Sequence, residues 1–251
     1  MKAVISDIHG NLEALNAVLK DIASRRIQEV VCLGDVVGYG PNPRECLELL
    51  LKCRPALKGN HEHALLYDPD GFNEKAEAAI LWTRDQLNDA ASYDRDRNYE
   101  LWDFLGALED AVRLDGVLFV HASPVDPVME YVLPRDAADA VKMKRLFSAF
   151  TEELCLCGHT HVPGVFLPDC RFLTPKELPG GQFIRDGRRA ILNVGSVGQP
   201  RDGDPRASYV TFDRTAVWFH RVPYDYRKTQ EKIRLIPALP AMLADRLEKG
   251  R

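Results

Sequence analysis

The sequence predicts an α/β fold whose strands run parallel and are joined by helical crossovers. Three observations carry this. Two short apolar runs rich in β-branched residues, at 2–6 and 29–33, read as buried strands. Between them Leu12, Leu15, Val18, Leu19 and Ile22 recur at helical spacing. The order strand, loop, helix then repeats, which in a compact domain means parallel strands with crossovers.

Each element follows from its residues. Asn11 is placed to cap the first helix. Asn42-Pro43-Arg44-Glu45 marks the start of a second, with Asn42 as cap, Pro43 in the first turn and Glu45 completing a capping box. Residues 55–58 lead into a third loop, Gly59-Asn60-His61. From about 73 to 108 the chain is charged, with Ala76, Ile80, Leu81, Trp82 and Leu87 at helical spacing. This stretch reads as an inserted helical hairpin, a lid or a dimer surface, within one domain spanning 1–251. Asp115-Gly116 is a hairpin turn joining strands at 111–114 and 117–120. A helix is expected at 136–150 and a strand at 154–157. Further strands are expected at 162–167, 190–194, 207–212 and 216–222, then a helical segment at 226–249 broken by Pro237 and Pro240.

Composition narrows the function classes. A 251-residue chain that is 45% hydrophobic can build a sizeable core. Charged residues of both signs are mixed and the net charge is −4, which disfavours binding to long nucleic acid. Asp7 interrupts the first apolar run, so it does not read as a secretory signal, and no run is long enough to cross a bilayer. The cysteines at 32, 46, 53, 155, 157 and 170 contain no Cys-x-x-Cys pair and read as reduced, buried thiols. These features together point to a cytoplasmic protein.

In such sheets chemistry gathers in loops at the carboxyl ends of the strands. Asp7, His9, Asp35, Asn60, His121, His159 and His161 all follow predicted strands. Carboxylates, an amide carbonyl and imidazoles suit divalent Mn, Fe, Zn, Ni, Co or Mg. Asp7-x-His9 and His159-x-His161 each put two ligands on one side of an extended segment. Seven ligands exceed what one transition metal with an open position needs, but fit two metals sharing a carboxylate. Two metals about 3.5–4 Å apart can clamp both the attacking and the leaving oxygen at phosphorus.

Asp7-x-His9, Gly34-Asp35, Gly59-Asn60-His61, His121 and Gly158-His159-x-His161, in that order, resemble the motifs of the calcineurin-like metallophosphoesterases. The resemblance implies a four-layer α/β/β/α sandwich: two mixed sheets, outer helices, and a dinuclear metal site at one sheet edge. It implies that Asp7, His9 and His161 hold one metal, that Asn60, His121 and His159 hold the other, and that Asp35 bridges them. His61 matches the family's non-ligand histidine, a general acid or transition-state stabiliser. A metal-bound water would be the nucleophile, with manganese as the first choice of metal. The block after Asp35 departs from the protein-phosphatase pattern: Val36-Val37-Gly38-Tyr39-Gly40-Pro41 lacks the expected Asp and Arg. That leaves His61 without an identified orienting partner and argues against a Ser/Thr protein phosphatase. The 38–41 and 193–201 loops look more like the small bacterial and archaeal phosphodiesterase branch.

Blander readings stand beside these. Asp7 and Asp35 could merely cap helices, although that leaves His9 and Asn60-His61 unexplained. Cys155 and Cys157 precede the His pair and read as core rather than thiolate ligands. His63 and His220 lie outside the motifs and read as non-ligands. Tyr39 could stack on a substrate ring and Arg201 could contact phosphate, or each could be an ordinary loop residue. Gly195 and Gly198 could present N–H groups to phosphate or serve a turn. The expected activity is hydrolysis of a small or nucleotide-type phosphodiester. The alternatives are a phosphomonoesterase on the same site, a short-strand nuclease, and a catalytically silent scaffold; an oligomer is compatible with all of them.

Overall fold

In a computed structural model, which describes residues 1–69 and 71–251, the first apolar run becomes strand β1 (Lys2–Ile5). It pairs parallel with β2 (Val30–Cys32) and antiparallel with β10 (Ala207–Phe212). β11 (Ala216–Val222) and β8 (Gln182–Ile184) complete a five-stranded sheet in the order β2-β1-β10-β11-β8. The second sheet has six strands. β4 (Val117–Val120), β5 (Leu154–Cys157) and β9 (Ala190–Asn193) run parallel at its centre. The hairpin strand β3 (Ala111–Leu114) lies on one side, and β6 (Gly164–Leu167) with β7 (Arg171–Leu173) on the other.

Strand periodicity explains the layers. Side chains alternate between the two faces of a strand. In β4, Val117 and Phe119 enter the core between the sheets, while Leu118 and Val120 face an outer cluster. In β5, Leu154 and Leu156 face inward and Cys155 and Cys157 outward. Burial on both faces is why these strands read as unbroken apolar runs. Burial pushes the Cys157 thiol up to about 12 and raises Cys155 too, so both are neutral packing groups rather than ligands.

Helices cover both outer faces, giving four layers. α1 (Leu12–Ser24) packs Ala14, Leu15, Val18 and Ile22 against the first sheet, and Asn11 caps it by accepting from the Ala14 N–H. α2 (Pro43–Leu50) starts at Asn42, but the capping box does not form. The Asn42 side chain instead donates to Glu45 and accepts from Lys232, tying α2 to a C-terminal helix. The third loop is also corrected: Asn60 and His61 open a helix, α3 (Asn60–Leu66), reached through single bridges at Ala56 and Leu57 rather than a strand.

The 73–108 stretch forms α4 (Glu74–Asn88) and α5 (Arg95–Gly106). Ile80, Leu87, Leu101, Phe104 and Leu105 join the same core as α1 and α2. The helix expected at 136–150 is a 3₁₀ turn, Pro134–Ala138, followed by α6 (Ala140–Ser148), because Asp139 caps a new helix start. α6 covers the second sheet through Met143, Leu146 and Phe147. α7 (Tyr226–Leu235) and α8 (Met242–Lys249) flank the two prolines and pack on Ala79 and Tyr39. No described helix is long and apolar enough to cross a membrane.

Candidate metal centre

The carboxyl ends of β1, β2, β4 and β5 open onto one rim. The loops after β1 and β2 zip together by backbone bonds: Asp7 N–H to Gly34, His9 N–H to Asp35 and Gly10 N–H to Val36. Gly158 N–H donates to His121 O at 2.8 Å, which joins the loops after β4 and β5. Among the described residues, nine non-glycine residues adopt positive φ, and six of them, Asp7, His9, Asp35, Tyr39, His159 and His161, lie on this rim. Such backbone costs on the order of 1–3 kcal/mol per residue and is held by its surroundings.

All seven predicted ligands converge. Three groups of side chains, Asp7/His9/His161, His9/Asp35/His61 and Asp35/His121/His159, each have donor atoms within 4.8 Å of one another. His9 Nε2 lies 3.1 Å from His161 Nε2, and His161 Nε2 lies 3.2 Å from Asp7 Oδ1. His121 Nε2 lies 3.1 Å from both Asn60 Oδ1 and His159 Nδ1. Asp35 Oδ2 stands between the halves, 3.7 Å from His9 Nε2 and 3.4 Å from His121 Nε2.

Tautomers follow from the other ring nitrogens. His9 Nδ1 bonds Val37 O at 3.1 Å, His121 Nδ1 bonds Leu33 O at 3.0 Å, and His161 Nδ1 bonds Gln199 O at 2.6 Å. A carbonyl only accepts, so in each ring Nδ1 carries a proton and Nε2 faces the centre, where a bound cation would take its lone pair. Lone pairs and carboxylates meeting at these distances form a donor set that fits divalent cations.

Burial alone would raise the Asp7 carboxyl, but His161 beside it holds it far below the usual range. Asp35 is likewise held well down, against burial, by His121 and His61. Burial drives His9 well down and His159 to about 3, whereas the charges of Asp35 and Asp7 outweigh burial at His121 and carry it up to about 9. The centre therefore demands positive charge beside its carboxylates.

Glycines make this approach feasible. A Cβ on Gly158 would sit 2.4 Å from Asp7 Oδ2 and 2.1 Å from Ser6 Oγ. The amide of His159 can then donate to both Asp7 carboxylate oxygens, at 3.1 and 3.0 Å. Gly38 explains the missing partner of His61. A Cβ there would lie 2.1 Å from His61 Nδ1, and this buried nitrogen has no hydrogen-bond partner among the described residues. His61 packs instead against His9, Tyr39 and Phe72, with ring centroids 4.7, 4.6 and 5.2 Å away, and burial pulls it down to about 4.

Glu62 escaped the sequence reading, although its spacing from Gly59 is the capping-box spacing; glycine in place of Ser or Thr hides the pattern. Its fully buried carboxylate accepts from the N–H groups of Asp35, Val36, Val37 and Gly59 at 2.7, 2.7, 3.1 and 2.9 Å. Burial and the Asp35 charge push it up to about 7, while the N–H donors pull it back. Two N–H groups on each oxygen favour the carboxylate form. Glu62 thus locks the Asp35 loop to the Asn60-His61 helix start.

The remaining candidates are also placed. Tyr39 and Arg201 both border the centre; Arg201 N–H donates to His161 O at 3.2 Å. The N–H groups of Gly195 and Gly198 are spent on Asn193 Oδ1 and Asp7 O, so they serve turns and do not present themselves to phosphate. His220 bonds Thr211 at 2.8 Å and stacks on Tyr209, and His63 packs on Tyr67, so neither joins the donor groups. Beside the centre lies a cavity of about 310 Å³ walled by Tyr39, Phe72, Met129, Tyr131 and His159. Tyr131 lies over His159 at 3.8 Å between centroids.

Comparisons with known proteins identify the family. Residues 1–216 match the family model described as the calcineurin-like phosphoesterase superfamily domain. An uncharacterized protein of Methanocaldococcus jannaschii is 39% identical, with 100% of this chain and 98% of that protein covered. The crystal structure of a metallophosphoesterase from Sphaerobacter thermophilus superposes with a TM-score of 0.82 at 37% identity, covering 100% of this chain and 98% of that one. A hypothetical protein from Pyrococcus horikoshii shares the fold at a TM-score of 0.76 and 20% identity, covering 100% and 99% of the two chains. The chain belongs to the calcineurin-like phosphoesterase superfamily.

Proposed function

We propose that the protein is a phosphodiesterase that holds two divalent cations, with manganese the first choice, and hydrolyses a small or nucleotide-type phosphoester. The observation that carries this is the convergence of imidazole nitrogens with the buried carboxylates of Asp7 and Asp35. Asp7, His9 and His161 would hold one cation and Asn60, His121 and His159 the other, with Asp35 touching both. Bound divalent cations supply Lewis-acid charge and a water acidic enough to attack phosphorus near neutral pH.

The chain's own residues do the rest. Val37, Leu33 and Gln199 fix the imidazole tautomers through their carbonyls. His61, with Nδ1 turned to Gly38, is the candidate to give a proton to the leaving oxygen from its other ring nitrogen. Arg201 keeps a buried Nε without a partner and is the candidate clamp on the phosphoryl oxygens. Two cavities share Tyr39 as a wall, one of about 310 Å³ over the centre and one of about 430 Å³ towards α8. Two openings favour a diester, whose two arms need separate room, over a monoester.

The test is hydrolysis of bis-p-nitrophenyl phosphate and p-nitrophenyl phosphate by chelator-treated protein before and after Mn²⁺ is returned. Metal-restored turnover that favours the diester is expected. Preference for the monoester would make it a phosphatase, and full activity without metal would overturn the reading.

A further inference from the structure

The second cavity has chemistry of its own. It is bordered by Tyr39, Glu74, Lys75, Met242 and Arg246, and α8, which supplies the last two, lies beyond the residues matched by the family model. Tyr39 joins it to the centre. The Tyr39 ring is 4.7 Å from the His9 ring, and the Arg246 guanidinium carbon is 6.0 Å from the Tyr39 ring. One aromatic ring thus separates Arg246 from the metal-ligand imidazoles.

Three cations here lack an acidic side-chain partner. Nearby Arg206, Arg221 and Arg234 pair with Asp204, Asp202 and Asp245, but Arg201, Arg246 and Lys75 have no acidic side chain within 4.0 Å among the described residues. Arg246 Nε donates to Arg251 O at 2.8 Å, which leaves both terminal nitrogens uncommitted. Lys75 Nζ reaches only Met242 Sδ, a weak acceptor, at 2.9 Å. Arg201 Nη2 donates to Gln199 Oε1 at 3.0 Å, and its Nε is buried without a partner. Burial and the charge of Arg201 both press Arg246 below its ordinary value. Guanidinium nitrogens left free of acidic side chains, beside an ammonium group, form a receptor for an anion. Glu74 also borders the cavity, so the two bases outnumber the acid there.

We propose that Arg246 and Lys75 form a subsite for a second phosphate group on the substrate, beyond the phosphate held by Arg201 at the metal-ligand cluster. The inference rests on the phosphoesterase reading and narrows it to esters whose arm on the α8 side is itself phosphorylated. The second phosphate is joined to the first either through an anhydride or through a sugar, and both linkages present the same dianionic group to a guanidinium fork.

The experiment is calorimetric titration of the metal-loaded protein with AMP, ADP and adenosine 3′,5′-bisphosphate. At least one bisphosphorylated probe should bind about tenfold or more tighter than AMP, the size of a charge-assisted contact. That advantage should vanish in Arg246→Gln and persist in part in Arg246→Lys. ADP winning identifies an anhydride link, and the bisphosphate winning a sugar link. Equal binding of all three probes overturns the subsite. So does an advantage that survives Arg246→Gln, which would mean the metals alone read the second phosphate. If Arg246→Gln does not fold, Lys75→Gln decides: a lost or weakened advantage supports the subsite, and an unchanged one overturns it. Hydrolysis of bis-p-nitrophenyl phosphate is scored separately. Absent turnover with an Arg246-dependent advantage removes the enzyme and keeps the subsite; the reverse pattern removes the subsite and keeps the enzyme.

Discussion

The core between the sheets and the rim at the strand ends are built from the same strands on opposite principles. In the core, Val117, Phe119, Leu154 and Leu156 continue regular strands and bury apolar surface. A residue or two further along, His121 and His159 stand in a region of left-handed backbone, buried carboxylates and polar atoms such as His61 Nδ1 that lack partners. Apolar burial stabilises by roughly 25 cal/mol per Å². Positive φ and unpaired buried groups cost free energy. The difference teaches that the core holds the rim in a conformation that the rim's own residues would not choose.

The comparison can be broken at either end. The largest effect is expected for His61→Ala. Turnover should fall on the order of 10²–10⁴-fold, with metal content and melting temperature near those of the parent, since a buried nitrogen without a partner is removed. Kinetics beside metal analysis checks this; lost metal would make His61 a ligand instead. Phe119→Ala should do the converse. Phe119 is fully buried and packs 5.8 Å from Phe212, and its loss should cost about 3–5 kcal/mol. Denaturant unfolding gives the stability, and activity per folded molecule should be unchanged. A drop in activity would mean that the core and rim are coupled more tightly than their separation suggests.

Glu62→Gln sharpens the contrast, because Glu62 belongs to both regions. The amide would turn donors towards N–H groups that need an acceptor. A loss of about 1–3 kcal/mol is expected, together with weaker metal retention, because the Asp35 loop and the start of α3 come loose from each other. Thermal unfolding of chelated and metal-loaded protein separates the two effects. A purely structural Glu62 would lower both melting temperatures equally.

Much of this was legible in the residues. The Asp115-Gly116 hairpin and the strand at 154–157 occur where pattern and turn chemistry put them, and each predicted ligand stands at the rim. Short, part-exposed strands were not legible. β7 and β8 have three residues each and are half open to solvent, so they carry no clear alternation. The Asn60-His61 segment read as a loop because its helix is short and is capped from within by Glu62. Asn42 made a different bond from the one expected because Lys232, distant in sequence, competes for its oxygen.

The sequence by itself determined the layers and the donor types, because side-chain period and ligand chemistry are local properties of neighbouring residues. Only the tertiary structure decided which lone pairs face each other, that Gly38 leaves His61 Nδ1 without a partner, and that Arg246 comes within one ring of the centre. Those facts depend on loops zipped across 26 or 27 residues, such as Asp7 to Gly34, and on backbone angles set by packing. No local pattern encodes them.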